Sequence, residues 1–297
     1  MAACTFSAIV RIQNNCSKES CPQRRVGVYW QMLTRISTTL LIFTFVGLRP
    51  IHGQDPSVSK GTPAPVATDR PTVTNSSIVV PVGSVQAENG FLVTNNQGQN
   101  VADGSETLVR VGIFAKTEFR FTAPDYYYNL NGSGIGTGFG DLALGVKEQL
   151  GPLPGKFDVS VTAFVSFPTG VSGVSSGGYD PGLQVAWSRP LSSKWTAAGM
   201  LSLYGPTQDH SHNLTGESTL LLNRQLTTPW DAFVEYVADF PERGGTRQFV
   251  QFGTALKLGK RQQQQLDLHV GVGLTSAAVN HFIGVGYSFR FRAFHRE

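Results

Sequence analysis

The sequence has little charge and little sulfur. Of its 297 residues 15% are charged, against about 25% in an average soluble domain, and it contains three cysteines and three methionines. So few cysteines exclude a disulfide-rich scaffold. The low charge disfavours a long coiled coil, and the 40% of hydrophobic residues can bury a core, which disfavours a disordered chain. The 33 glycines and 19 phenylalanines favour β structure.

The sequence also lacks a hydrophobic run of the roughly 18 residues that a membrane-spanning helix needs. Its longest apolar stretch, residues 36–48, follows an arginine and precedes a turn with small residues. This pattern predicts a secretory signal peptide over residues 32–54, with translation starting at Met32 and cleavage near Gln54. Residues 1–31 are then an N-terminal extension or a mis-assigned start. An amphipathic anchor retained in the mature protein is the alternative.

Removal of this leader changes the charge and the cysteine count. Six of the 24 basic residues and one of the 20 acidic residues lie in residues 1–54, so the mature chain has a formal charge of −1. This balance gives no basic patch for nucleic acid, and we expect no such partner. Cys4, Cys16 and Cys21 also lie in the leader. A mature chain without thiols is compatible with export to the bacterial envelope.

The remainder divides into a polar stretch and a long region of alternating residues. Residues 55–83 are rich in Pro, Ser and Thr and begin without periodicity, which predicts a flexible linker. Residues 84–292 contain twelve candidate strands, of which 157–167, 266–274 and 281–291 alternate most regularly. Residues 293–297 form a short tail.

The chemistry of the two strand faces indicates the fold class. One face carries aliphatic residues, with aromatic residues near strand ends; the other is polar and small. These features predict an all-β protein: an antiparallel transmembrane β-barrel of about 12 strands, of the bacterial outer-membrane type. Short turns alternate with mostly longer loops, among them residues 95–106, as in such barrels. A soluble β-sandwich also alternates and is the competing fold. The aromatic residues that we assign to the membrane interfaces are Trp187, Trp195, Trp230, Tyr287, Phe289 and Phe291.

The polar face supplies the candidate functional residues. Charges in a narrow lumen must pair or stay hydrated, so we expect paired networks that line a path for a small solute. The same pairs could instead only fill and rigidify the barrel. The candidate residues of the lumen are Glu88, Arg110, Glu118, Arg120, Asp141, Lys147, Asp158, Glu235, Asp239, Lys257, Asp267, His269 and Arg290.

Several motifs rich in glycine and turn residues recur along the strands. They are GFGDLALGVKEQL (138–150), SFPTG (166–170), YDPGLQVAWSRPLSSKW (179–195), FVEY (233–236) and QLDLHVGVGL followed by FIGVGYSFRF (within 265–291). Together they resemble an outer-membrane transporter-like family named for the MetA pathway of phenol degradation. The resemblance covers about residues 84–292. It implies passive passage of small, hydrophobic or aromatic compounds across the outer membrane. The tail after Phe291 departs from the many barrels that end on a terminal aromatic residue.

Two other functions stay open. His210, Ser211 and His212 in a predicted outer loop contain the residue types of a hydrolase. A structural barrel with a plugged lumen is the second alternative. For the channel we expect no cofactor, no metal and no catalysis. Its partners would be a small-molecule solute, outer-membrane lipid and the barrel-assembly machinery, and the oligomeric state stays open.

Overall fold

A computed structural model describes residues 64–131 and 136–294. The predicted leader and the end of the tail lie outside these residues, and the described part of the chain is built from β-strands. Within the described ranges, no helix is long and apolar enough to cross a membrane.

The described residues form sixteen strands, twelve of which build the wall of one sheet. In chain order they are β1 (Ser84–Asn96), β2 (Gln99–Phe114), β3 (Thr117–Thr122), β4 (Tyr126–Asn129), β5 (Gly138–Phe139), β6 (Leu142–Gln149), β7 (Asp158–Phe167), β8 (Asp180–Pro190), β9 (Trp195–Tyr204), β10 (Thr207–Gln208), β11 (Ser211–His212), β12 (Thr215–Thr227), β13 (Trp230–Pro241), β14 (Arg247–Leu258), β15 (Gln264–Gly273) and β16 (His281–Arg292). The short β4 and β5 extend the wall beside β2, and β10 pairs with β11 in a loop.

The sheet closes on itself, because β1 pairs antiparallel with both β2 and β16. The other wall strands pair with their neighbours in chain order, again antiparallel. Closure removes the free strand edges that would otherwise expose unpaired backbone groups. The structure confirms the predicted twelve-stranded antiparallel barrel and excludes the β-sandwich.

The outward face is apolar and exposed, and the inward face is polar and buried. Leu201 is 61% exposed and Phe91 56%, whereas Glu88 and Arg110, on the opposite face, are fully buried. Such an inverted distribution fits a barrel that meets lipid outside. Trp195, Trp230, Tyr287 and Phe291 are exposed near one end of the barrel, and Tyr126, Tyr128, Phe139 and Tyr179 near the other. The two aromatic groups correspond to the girdles of a membrane barrel.

Both described ends of the chain lie at the same end of the barrel, which outer-membrane topology places at the periplasm. The turns at 115–116, 191–194 and 228–229 share that end. The prediction of a long outer loop over 95–106 is wrong. Strand β2 begins at Gln99 and only residues 97–98 form the turn, because the sequence GQN at 98–100 supports a tight turn with Gly98 at positive φ.

Residues 64–83 form no flexible linker, contrary to the expectation from composition. They extend into the barrel from the periplasmic end and return to it, and half of them are buried. We call residues 64–83 the lumen segment. Its composition predicted flexibility because the segment has no apolar periodicity of its own. Its backbone groups are bonded instead by side chains that the barrel wall points inward.

Candidate functional site

Two buried glutamates of the wall hold the backbone of the lumen segment. Glu88 of β1 accepts hydrogen bonds from the backbone N–H of Asp69 (2.8 Å) and Arg70 (3.0 Å). Glu235 of β13 accepts bonds from the backbone N–H of Val73 (2.9 Å) and Thr74 (2.7 Å), and from the Thr74 hydroxyl (2.6 Å). These carboxylates accept backbone hydrogen bonds that the carbonyl groups of a neighbouring strand would accept in a sheet. The extended segment is therefore bonded without secondary structure of its own.

An ionic cluster joins the segment to strands β2, β3 and β6. Arg110 donates hydrogen bonds to both carboxylate oxygens of Glu118, at 2.8 and 2.9 Å, and to Glu88 at 3.0 Å. Asp69 of the segment lies 3.2 Å from Arg110, 2.5 Å from Arg120 and 3.4 Å from Lys147. The pairing compensates the cost of burying these charges, and removal of one member leaves its partners uncompensated.

The same cations also donate hydrogen bonds to backbone carbonyl groups of the segment. Arg110 donates to the carbonyl oxygens of Ala67 (2.9 Å) and Ile78 (2.8 Å), and Lys147 donates to that of Ser76 (2.8 Å). The ascending and the descending halves of the segment are thus tied to one arginine. The cluster lies in the half of the barrel nearer the periplasmic end.

Arg70 lies in a socket made by two glycines and two acids. Gly90 of β1 and Gly286 of β16 are directly paired, and a Cβ atom on either would overlap the Arg70 side chain. The guanidinium bonds Glu106, Asp267 (3.4 Å) and the carbonyl of Val285 (3.2 Å). The missing side chains of the glycines make the space that the guanidinium fills.

Glu106 of β2 lies on the inner face, in regular alternation with Leu108 and Arg110. A bulge lies beside it, where the register opposite β1 shifts, and Glu106 has a φ of 41°. The bulge changes the phase of the alternation, so that Asp103, three residues away, also points inward. The irregularity therefore places a second carboxyl group on the same face as Glu106.

The segment leaves the lumen beside another glycine. A Cβ atom on Gly112 of β2 would overlap the backbone oxygens of Val80 and Pro81. Val80 is anchored there by a bond from its N–H to Glu118 (2.7 Å). Gly112 thus provides the passage through which the chain continues to β1.

An apolar cluster lies on the external side of the segment's apex. Phe249 and Phe282, close to the external ends of β14 and β16, meet edge to face with centroids 5.4 Å apart. The cluster consists of Val73, Leu92, Ala186, Met200, Val237, Phe249, Val279 and Phe282, all buried. His269 meets Phe282 at 5.8 Å and is hydrogen-bonded through Nδ1 to Gln251 (2.9 Å). The lumen therefore contains an apolar and aromatic layer between polar regions.

A row of polar side chains crosses four strands on the external side of that layer. Ser202, Glu217, Asp239 and Arg247 are successive register partners on β9, β12, β13 and β14. Ser202 donates to Glu217 at 2.9 Å, and Arg247 lies 3.2 Å from Asp239. The row shows that the paired charges continue towards the outer mouth.

The structure brings most of the predicted lumen residues together. Ten of them are buried on the inner face: Glu88, Arg110, Glu118, Arg120, Lys147, Glu235, Asp239, Asp267, His269 and Arg290. Lys257 is half-buried near the periplasmic end, 2.8 Å from Asp231, and Asp158 begins β7 at the same end. Asp141 does not line this network. It lies between β5 and β6 and accepts bonds from the backbone N–H of Gly170 and Ser176, which hold an external loop.

Sequence reasoning missed the residues that enter the lumen from irregular backbone. Asp69 and Arg70 were assigned to the linker, and Glu106 and Asp103 to an outer loop or its border. Asp69 and Arg70 are the only charged residues of the lumen segment, and this isolated pair was the available signal. Glu217 and Arg247 are the first residues of two predicted strands, where the polar neighbours Ser218 and Gln248 give no alternation from which to assign a face.

The loop residues considered for hydrolysis have other partners. His212 bonds the carbonyl of Tyr179 at 3.0 Å, and the Ser211 hydroxyl bonds the carbonyl of Gln208 and the guanidinium of Arg243. Neither contact joins a nucleophile to a base. Within residues 64–131 and 136–294, no group of three or more His, Cys, Asp or Glu residues is placed to hold a metal ion.

Comparisons with solved structures find the same architecture in outer-membrane proteins. The "COG4313 outer membrane channel from Pseudomonas putida F1" has 11% sequence identity and a TM-score of 0.59, over 73% of this chain and 98% of its own. The NanC porin has 8% identity and a TM-score of 0.51, over 69% of this chain and 98% of its own. At these identities the likeness shows the shared fold. No curated protein matches the sequence.

A family model matches residues 68–291, which include most of the lumen segment and nearly all of the barrel. Together with the lipid-facing belt and the closed sheet, this match establishes what kind of protein the chain is. It is a β-barrel of the bacterial outer membrane and belongs to the family described as "Putative MetA-pathway of phenol degradation".

Proposed function

We propose that the protein is a passive outer-membrane channel for small hydrophobic or aromatic solutes, and that the lumen segment closes it. The observation that carries the proposal is the way the segment is held. Residues 64–83 are bonded inside the barrel by side chains of many strands, through hydrogen bonds and ion pairs rather than strand pairing. When such a segment leaves a polar lumen, water can replace each of its hydrogen bonds, so the free energy of release is smaller than the number of bonds suggests.

The apolar layer supports the choice of solute. Phe249, Phe282, Met200 and Leu92 present aromatic and aliphatic groups to the interior of a barrel whose lumen is otherwise polar. An aromatic ring entering this layer gains edge-to-face contacts of the kind that Phe249 and Phe282 already make. The family's link to phenol degradation fits the same class of solute.

Deletion of residues 64–80 tests the channel. The purified protein and the deletion variant are compared in planar lipid bilayers, with Pro81–Gly83 retained because they lie against β2 and the C-terminal tail. We expect a much larger ion current after deletion. Addition of phenol should reduce that current, and the combined substitutions Phe249→Ala and Phe282→Ala should weaken the reduction. A shortened barrel that folds and carries no current would refute the proposal.

A structural barrel with a permanently closed lumen is the second candidate, and the filled lumen favours it. The current of the undeleted protein separates the two, since deletion of residues 64–80 would open either barrel. A closed structural barrel would carry no current in its native form under any condition that leaves it folded. The proposed channel needs no cofactor and performs no catalysis. Its partners would be the solute, outer-membrane lipid and the barrel-assembly machinery.

A further inference from the structure

The socket of Arg70 has the features of a binding site that the chain occupies itself. Gly90 and Gly286 leave a narrow space between β1 and β16 in which the planar guanidinium lies. Glu106 and Asp267 accept from different nitrogens of that group, and the carbonyl of Val285 accepts a further bond. Acceptors placed at different N–H groups of one planar side chain match a guanidinium better than a spherical ammonium.

More carboxyl groups surround the socket than Arg70 bonds. Asp103 and Asp125 lie close enough for the charges of Glu106 and Arg70 to act on them. Four carboxyl groups thus lie around one guanidinium. One carboxylate oxygen each of Asp103, Asp125 and Asp267 is buried without a hydrogen-bond partner among the residues that the structure describes, and these side chains are 3–6% exposed.

The extra carboxylates lie towards the outer mouth. Asp103 is five residues into β2 from its external end, and Asp125 lies between β3 and β4. A cation that enters from outside therefore meets these carboxyl groups before it meets Arg70, and their unpartnered oxygens can accept hydrogen bonds from its N–H groups. The described carboxylates are not grouped as metal ligands. The acceptors that surround the planar Arg70 side chain favour an organic cation with a guanidinium group.

The geometry points to a guanidinium-binding site at Gly90, Gly286, Glu106 and Asp267, in which Arg70 is an internal ligand that a guanidinium-bearing solute displaces. Displacement removes one anchor of the lumen segment, so the solute both binds and favours opening. This inference rests on the proposed channel and assigns its lumen a second class of ligand besides aromatic solutes.

Chemical rescue of Arg70→Ala tests the site. Thermal unfolding of the full-length protein in non-ionic detergent is followed by tryptophan fluorescence, with methylguanidinium or tetramethylammonium added at equal millimolar concentrations. A ligand this small binds weakly even in a good site, so millimolar concentrations are needed. We expect the variant to unfold at a lower temperature than the wild type. Methylguanidinium should restore much of the difference in a saturable manner, and tetramethylammonium should not.

Two variants control the rescue. Asn75→Ala removes another side-chain bond of the lumen segment, the 2.8 Å contact with Gln184, and should show no specific effect of methylguanidinium. Adding Glu106→Gln to Arg70→Ala should weaken the rescue. Equal effects of both cations, rescue of Asn75→Ala, or full rescue without the carboxylate of Glu106 would each overturn the assignment.

The wild-type protein provides a second measurement should Arg70→Ala fail to fold. External methylguanidinium should raise the wild-type current several-fold over equal tetramethylammonium, because it competes with Arg70 for the socket. Equal currents would overturn the proposal. If deletion of residues 64–80 opens the barrel but neither rescue nor competition occurs, the socket is refuted alone. If the deletion variant carries no current, the channel is refuted, while the unfolding experiment still tests the binding site.

Discussion

Replacing Glu235 by glutamine should release the apex of the lumen segment. The carboxylate accepts three bonds from Val73 and Thr74, and it also accepts one from Gln251. Glutamine has the same shape but only one acceptor oxygen, and its NH₂ group would face N–H donors. The substitution therefore removes acceptors without creating a cavity.

The expected magnitude follows from the number of bonds. A hydrogen bond to a charged group contributes about 1.5–3 kcal/mol. Loss of two such bonds, partly offset by rearrangement, should weaken docking of the segment by about 3 kcal/mol, or roughly 100-fold in the ratio of docked to released forms. The effect should fall on the segment more than on the barrel, because β13 keeps its pairing with β12 and β14.

Hydrogen exchange and ion current measure this effect. In Glu235→Gln, amides of residues 64–83 should exchange faster by about the same factor of 100, and the current should rise. Glu217→Gln is the matched control, since Glu217 is also a buried glutamate but bonds Ser202 of the wall at 2.9 Å. Unchanged exchange in Glu235→Gln, or equal release in Glu217→Gln, would refute the reasoning.

Three further substitutions test other parts of the structure. Gly112→Val should displace the lumen segment where it leaves the barrel and raise the current, whereas Gly216→Val should not, because a Cβ there meets nothing within 4 Å. Arg110→Ala leaves buried carboxylates unpaired and should destabilise the protein by about 3–5 kcal/mol in denaturant unfolding, while exposed Arg261→Ala should change little. Leu201→Arg puts a charge on the lipid face and should lower the free energy of unfolding by about 2–4 kcal/mol. The band of the folded barrel on a gel should then shift to that of the unfolded chain at a lower heating temperature, and Leu201→Ala is the control.

The barrel could be predicted because alternation is a local signal. In β15 the inward Asp267 and His269 alternate with the outward Leu268 and Val270, and the two faces of the wall can be assigned from such spacing alone. The bulge in β2 interrupts this rule, because Asp103 and Glu106 both point inward although they are three residues apart. Residues 95–106 therefore looked like a loop.

The lumen segment could not be predicted from composition. Its Pro, Ser and Thr residues give no periodic apolar face, which usually means that a segment cannot bury itself. Here the partners of its backbone are distant side chains such as Glu88 and Glu235, and only the closed barrel brings them together. The glycines that make room for it, Gly90, Gly112 and Gly286, look like ordinary strand glycines until the segment is placed against them.

A reversible tether between the lumen segment and the wall tests the central claim most directly. The hydroxyls of Ser77 and Ser188 are 2.7 Å apart, so Ser77→Cys with Ser188→Cys should form a disulfide that fixes the segment inside the barrel. The chain's own cysteines all precede residue 22. We predict that the oxidised protein stays closed in a planar bilayer and that reduction restores the openings of the wild type. The same current before and after reduction would contradict closure of the channel by residues 64–83.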